Sequence, residues 1–245
     1  MGKTIWRKLA AGLLCGLLCL PMGMAAAAEQ PLSQTGREAL EQSLEGDVPG
    51  KVVYAKNGLI VRTHIIRENG LTYQYPQVRL VGKKEVSEKI SRYFAKKAKV
   101  SRNNYRKADK GEEKLTSKGG YVVSYHGPKY LSIIEYTFSY YERAAHPSSW
   151  EHGVTFNLEN GEPVPWKQLV ARKDKGTFTL TNINKALWAT EYGQGGYFFS
   201  DFTGLKKLPE NYYLDNQGHI CFVFNQYEIA PYSTGIINLN MEKGV

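Results

Sequence analysis

Strand-like alternation and hairpin turns dominate the chain from Val52 onward. Apolar runs at Val52–Tyr54, Leu59–Arg67 and Leu71–Val81 are separated by Asn57-Gly58 and Asn69-Gly70, dipeptides that supply the positive φ angles of a tight hairpin turn. Pro76, inside the third run, predicts an edge or a bulge, because proline cannot donate to a ladder. Lys83 to about Lys99 then takes a helical period. Val86, Ile90, Tyr93, Phe94 and Ala98 recur on one face, with Lys89, Arg92, Lys96 and Lys99 opposite. Lys97 breaks this pattern, standing beside the apolar seam.

A charged linker, Lys107–Lys118, leads to strands at Tyr121–Tyr125 and Leu131–Tyr141, then to an irregular corner at Arg143–Trp150 and strands at Val154–Leu158 and Trp166–Val170 around an Asn160-Gly161 turn. Phe178–Thr190 predicts a second helix through Leu180, Ile183, Leu187 and Trp188. Gly193–Gly204 reads as a loop or short helix, and strands at Tyr212–Leu214, Ile220–Phe224 and Ile236–Met241 follow. Mixed order with hairpin connections predicts an α+β domain, mostly antiparallel sheet with two principal helices. Two subdomains are expected, 51–150 and 151–245.

The start of the chain changes the picture. Lys3, Arg7 and Lys8 precede an apolar run from Leu9 to Leu20, and Ala26–Ala28 offers a small-residue cleavage site. That pattern predicts a signal peptide over residues 1–28 and an exported protein, periplasmic, cell-surface or secreted. Nucleic acid is therefore not an expected partner. Residues 29–50, polar with repeated Gly and Pro, are expected to form a tether. Without the leader, Cys221 is the one cysteine left, so no internal disulfide is expected and the thiol reads as a small buried hydrophobe.

Charge is concentrated rather than spread. Of 32 basic residues, three lie in the leader, leaving 29 against 23 acidic, a net charge of +6. Lys83–Lys110 holds 11 basic and 3 acidic residues, so this segment carries +8 and the remainder −2. The helix bearing Lys89, Arg92, Lys96 and Lys99 is thus the expected basic surface, with an envelope polyanion or peripheral contact with a membrane as its partner.

Candidate chemistry centres on Asn225–Gly235, which bridges two late strands and holds Tyr227, Glu228 and Tyr232. Glu228 would act as a general acid if the tyrosines desolvated it, but glycan hydrolysis needs a second carboxylate. Glu135, Glu142 and Asp201 are the candidates. Otherwise Glu228 caps the bridging turn. His146, Glu151 and His152 supply two imidazoles and a carboxylate, but at a spacing that forms no recognisable metal motif. No nucleophile elbow, zincin helix or phosphate loop is present, and no cofactor or metal is expected.

Ala145-His146-Pro147, Val154–Gly161 (VTFNLENG) with Leu169 after it, and Asn225–Tyr232 (NQYEIAPY) together resemble an exported bacterial domain of unknown function. That domain forms the extracytoplasmic, lysozyme-sensing part of the anti-sigma factor RsiV, and a similar module precedes the catalytic domain of the peptidoglycan deacetylase PdaC. The resemblance covers roughly residues 55–241. It implies an α+β fold working as a binding or sensing module and carries no catalytic residues. Family members often have glycines just before the His146 position, where this chain has Arg143-Ala144-Ala145. The expectation is a non-catalytic module for a cell-envelope component or an extracellular protein such as lysozyme, with His146, Trp150, Tyr227, Glu228 and Tyr232 as candidate site residues. The alternative is a wall-acting hydrolase or deacetylase with Glu228 and His146 near its site.

Overall fold

The computed structural model describes residues 46–111 and 113–245. The leader (1–28) and most of the expected tether (29–50) lie outside the described residues. Among the described residues nine strands form two sheets, mostly antiparallel, in a mixed α+β fold. The first sheet has six strands in chain order: β1 (Gly46–Lys56), β2 (Leu59–Glu68), β3 (Leu71–Leu80), β4 (Leu115–His126), β5 (Tyr130–Tyr141) and β6 (Ser148–Asn157). Only the β3–β4 pair is parallel. A parallel neighbour demands a crossover, and helix α1 (Lys84–Ala108) supplies it.

Helix α1 runs about two turns beyond the Lys99 end expected from periodicity. Tyr105 explains the extension: it is buried, and its hydroxyl donates to the Asn69 carbonyl in the β2–β3 turn. Ile90, Phe94, Ala98 and Tyr105 join Leu131, Ile133, Val154 and Phe156 in one core. The charged linker is likewise shorter than expected, since β4 already begins at Leu115.

Pro76 lies where its chemistry demands. Strand β3 pairs with β4 only at Leu71–Tyr73, so its second half is an edge, and Pro76 has no N–H to leave unpaired there. Val78 and Leu80 do, and α1 satisfies them. The Ser91 hydroxyl accepts the Val78 N–H at 2.9 Å and the Ser87 hydroxyl accepts the Leu80 N–H at 2.8 Å. An unmet buried donor would cost about 1–3 kcal/mol.

The second layer is built from α2 (Trp166–Leu169), a helical turn where a strand is expected from the sequence, α3 (Leu180–Ala189), α4 (Glu191–Gln194) and a three-stranded sheet, β7 (Tyr212–Leu214), β8 (His219–Phe224) and β9 (Ile237–Gly244). Its core gathers Trp166, Phe178, Ile183, Leu187, Phe222 and Phe224. Cys221 is buried in β8, and burial pushes its thiol up to about 11.

Helix α1 and this layer cover opposite faces of the large sheet. Pairing register puts Leu131, Ile133, Glu135, His152 and Val154 on the α1 face, and Ser132 and Gly153 on the other. There β7 crosses the sheet: the Leu214 N–H donates to the Ser132 hydroxyl at 2.9 Å, and the Tyr212 backbone lies against Gly153. Residue 150, where the sequence reading divides two subdomains, falls inside β6.

Candidate functional site

Strand β6 is the outer strand of the large sheet; its end pairs with the backbone of residues 162–164, and three side-chain amides close the rest of its edge. Asn211 Oδ1 accepts the Gly153 N–H at 3.0 Å and its Nδ2 donates to the Glu151 carbonyl at 2.8 Å. Asn225 Oδ1 accepts the Glu151 N–H at 2.7 Å, and Gln226 Oε1 accepts the Ser149 N–H at 2.8 Å. Amides serve here because they carry both donor and acceptor, as a neighbouring strand would. The Asn225-Gln226 dipeptide is therefore a clasp that fixes the turn following β8 against β6.

That clasp brings three of the expected site residues together. The His146 ring stacks on Tyr232 with centroids 3.7 Å apart and planes 18° from parallel. His146 Nδ1 lies 3.0 Å from the Pro147 carbonyl, and Nε2 lies 3.0 Å from the Tyr227 hydroxyl. A carbonyl only accepts, so Nδ1 carries the proton and Tyr227 O–H donates to Nε2.

Tyr227 is 57% exposed and sits at φ +65°. An L residue in this left-handed region costs roughly 1–2 kcal/mol relative to glycine. A bulky aromatic is thus held, strained and in water, at a position where glycine would be the cheaper residue. Arg143, just before the His146 corner, likewise adopts φ +72°; the chain keeps a glycine-type backbone there without the glycine.

Glu228 is placed otherwise. Its N–H donates to the Asn225 carbonyl at 3.0 Å, and its carboxylate accepts the Asn225 N–H at 2.9 Å. The side chain caps its own turn and is exposed. It also lines a cleft of about 650 Å³ with Asp201, Glu210 and Phe202. Glu135, another candidate partner carboxylate, lies on the α1 face of the sheet, ion-paired to Lys97.

Trp150 also leaves the group. Alternation along β6 turns it to the α1 face, where it stacks on His152 at 5.4 Å. Glu151 and His152, adjacent in a strand, point to opposite faces. Among the described residues no group of three or more His, Cys, Asp or Glu side chains is placed to hold a metal.

A cluster that sequence reasoning missed lies beside Trp150. Glu135 is only 2% exposed and ion-pairs with Lys97, while the Tyr73 hydroxyl donates to its other oxygen at 3.4 Å. Lys97 Nζ lies 5.6 Å from the Tyr93 ring centroid and 6.0 Å from that of Trp150. Burial, with the Glu135 charge, pushes the Tyr93 phenol up to about 12 and Tyr73 well above its ordinary range. The off-pattern position of Lys97 was the available signal: a lysine on an apolar seam needs a buried anion.

Burial, reinforced by Lys97, holds His152 down to about 4. A histidine kept neutral when folded takes up its proton more readily when unfolded. Its contribution is fully present above about pH 6.5 and is lost as pH falls toward 4, an effect of about 3 kcal/mol at most. His152→Asn should flatten the stability profile between pH 6.5 and 4 in denaturant titrations. An unchanged slope would assign the acid sensitivity elsewhere.

The basic residues divide. Lys89 is half-buried and ion-paired with Glu162, which removes it from the expected free surface. Arg92, Lys96 and Lys99 remain exposed.

The fold defines an α+β module, with the large sheet covered on both faces, whose irregular segments gather aromatic rings along one sheet edge. Residues 167–243 match the family described as a protein of unknown function, DUF3298. Two solved structures share the architecture. One is a member of that family from Bacteroides fragilis NCTC 9343, 16% identical with a TM-score of 0.52, aligned over 80% of this chain and 87% of that one. The other is a DUF3298 family protein from Pseudomonas aeruginosa PAO1, 11% identical with a TM-score of 0.51, over 75% of this chain and 88% of that one. No curated protein matches the sequence.

Proposed function

We propose that this protein is an exported, non-catalytic binding module for a cell-envelope component or an extracellular protein such as lysozyme, and that Tyr227, His146 and Tyr232 form its contact surface. The observation that carries the reading is Tyr227 itself, exposed at a strained backbone position and hydrogen-bonded to a stacked histidine. Strain kept at one residue points toward a use for its side chain. Tyrosines of this kind supply rigid, amphipathic contact area at low entropic cost. The leader-like start of the chain and the resemblance to the RsiV and PdaC modules support the compartment and the ligand classes.

The hydrolase reading has in its favour that Asp201 and Glu228 line one cleft. Against it, the Glu228 carboxylate is engaged by the Asn225 N–H, and an acceptor in use within its own turn is poorly placed to deliver a proton. The test of the binding reading is retention of the purified protein on peptidoglycan sacculi and on immobilised lysozyme. Capture by one of the two is expected, and passage through both would overturn it.

A further inference from the structure

We infer that the outer face of α1 is a second, independent docking surface, for a linear, base-free polyanion whose repeating charge is a phosphate group. The helix concentrates the chain's basic excess, with nine basic against two acidic residues, but neighbouring acids neutralise much of it. Lys84 pairs with Glu88, Lys89 with Glu162, Lys97 with Glu135, and Arg102 and Arg106 with Glu68. Among the described residues, Arg92, Lys96, Lys99 and Lys107 make no ion pair, and all four are exposed. At 3.6 residues per turn they fall within a sector of about 80°, and at 1.5 Å per residue they extend over about 22 Å. Steps of 4.5–6 Å along the axis from Arg92 to Lys99, shorter than the Debye length of about 8 Å, make those three act as one field.

The shape of this stripe selects the partner. The helix spends most of its apolar side chains on the core: Ile90, Phe94, Ala98 and Tyr105 are buried, and Val100 alone among its large apolar residues is exposed. A helix that lies in a bilayer needs such residues for the lipid, with Trp, Phe or Leu as wedges. Apart from the single Val100, none of these faces outward here. A planar membrane would meet only the ridge, whereas a flexible chain follows it. Nucleic acid is disfavoured on similar grounds, because base stacking needs exposed aromatic rings, and both tyrosines of the helix are turned toward the sheet, Tyr105 buried and Tyr93 packed on Phe94 and Phe156. What remains is phosphate recognition by a row of cations.

The stripe points away from the sheet on the side opposite the second layer, so both surfaces are open at once. The inference rests on the helix alone and stands or falls separately from the Tyr227 surface.

Inorganic polyphosphate is the probe, titrated against the purified full chain in 50 and 200 mM salt, beside a single-stranded DNA 20-mer and phosphatidylglycerol vesicles. Four phosphate contacts give a salt slope of about −2.8, a weakening of about 50-fold between the two salts. Arg92→Glu/Lys96→Glu/Lys99→Glu should lose binding by at least that factor with an unchanged melt, while Lys84→Ala should bind as the wild type does. Equal binding by the triple variant would overturn the proposal. Tighter binding to vesicles would also overturn it, in favour of a membrane surface, and tighter binding to DNA would do so in favour of nucleic acid.

Discussion

Gly153→Val should lower stability by about 3 kcal/mol or more, which for a domain of this size shifts the melting temperature by about 6–12 °C. The cause is backbone against backbone. A Cβ at Gly153 would collide with the carbonyl of Tyr212, and Tyr213 Cβ lies 2.9 Å from the same point. Neither neighbour is the far end of a flexible side chain, so relief requires β7 to lift from β6. The lift would strain the Asn211 contacts with the same strand. Gly153→Ala should act in the same direction with a smaller shift. Thermal melts combined with limited proteolysis check this. A Gly153→Val protein that melts within about 2 °C of the wild type would mean that the two layers are not packed as described.

The second large effect concerns the missed cluster. Lys97→Ala leaves the Glu135 carboxylate buried with only the Tyr73 hydroxyl for company. Removing one partner of a buried pair costs about 3–5 kcal/mol. Lys97 keeps 30% of its side-chain surface exposed, so water relieves part of that cost and about 2–3 kcal/mol is expected. The double variant Lys97→Met/Glu135→Leu should recover most of the loss, since two apolar side chains replace two charges. Chemical denaturation separates the outcomes: a double variant less stable than Lys97→Ala would show that the pair contributes more than it costs.

Much of the fold was legible because local chemistry and tertiary structure agree. The Asn-Gly turns, the apolar face of α1 and Pro76 at an unpaired edge all follow from short-range rules. The end of α1 was not legible, because the residue that extends it, Tyr105, is anchored by a carbonyl 36 positions away. Likewise Asn211, Asn225 and Gln226 read as ordinary polar loop residues until β6 appears beside them. Their partners lie 58 to 77 positions distant, and nothing in the local sequence marks an amide that substitutes for a strand.

The candidate site divides in the same way. Tyr227 and Tyr232 stood out in the bridging segment beside Glu228, His146 stood out in a separate corner before β6, and the structure joins His146 to Tyr227 across 81 positions. Trp150 was named as a candidate with them, but strand alternation sends it to the other face. Glu228 was attractive as a carboxylate among aromatics. Of the two readings the sequence allowed, acid or cap of the bridging turn, the three-residue reach back to Asn225 is that of the cap.

Tyr227→Gly tests the central claim most directly, because the binding reading and a purely structural reading predict opposite pairs of results. Melting temperature and binding to sacculi and to lysozyme are measured on the same preparation. If Tyr227 is kept for its ligand, glycine relieves the positive-φ strain, so the variant melts at the wild-type temperature or a few degrees above it, while affinity for the captured probe falls at least tenfold. A variant that melts lower yet binds as the wild type does would contradict the account and make Tyr227 a structural residue of the turn.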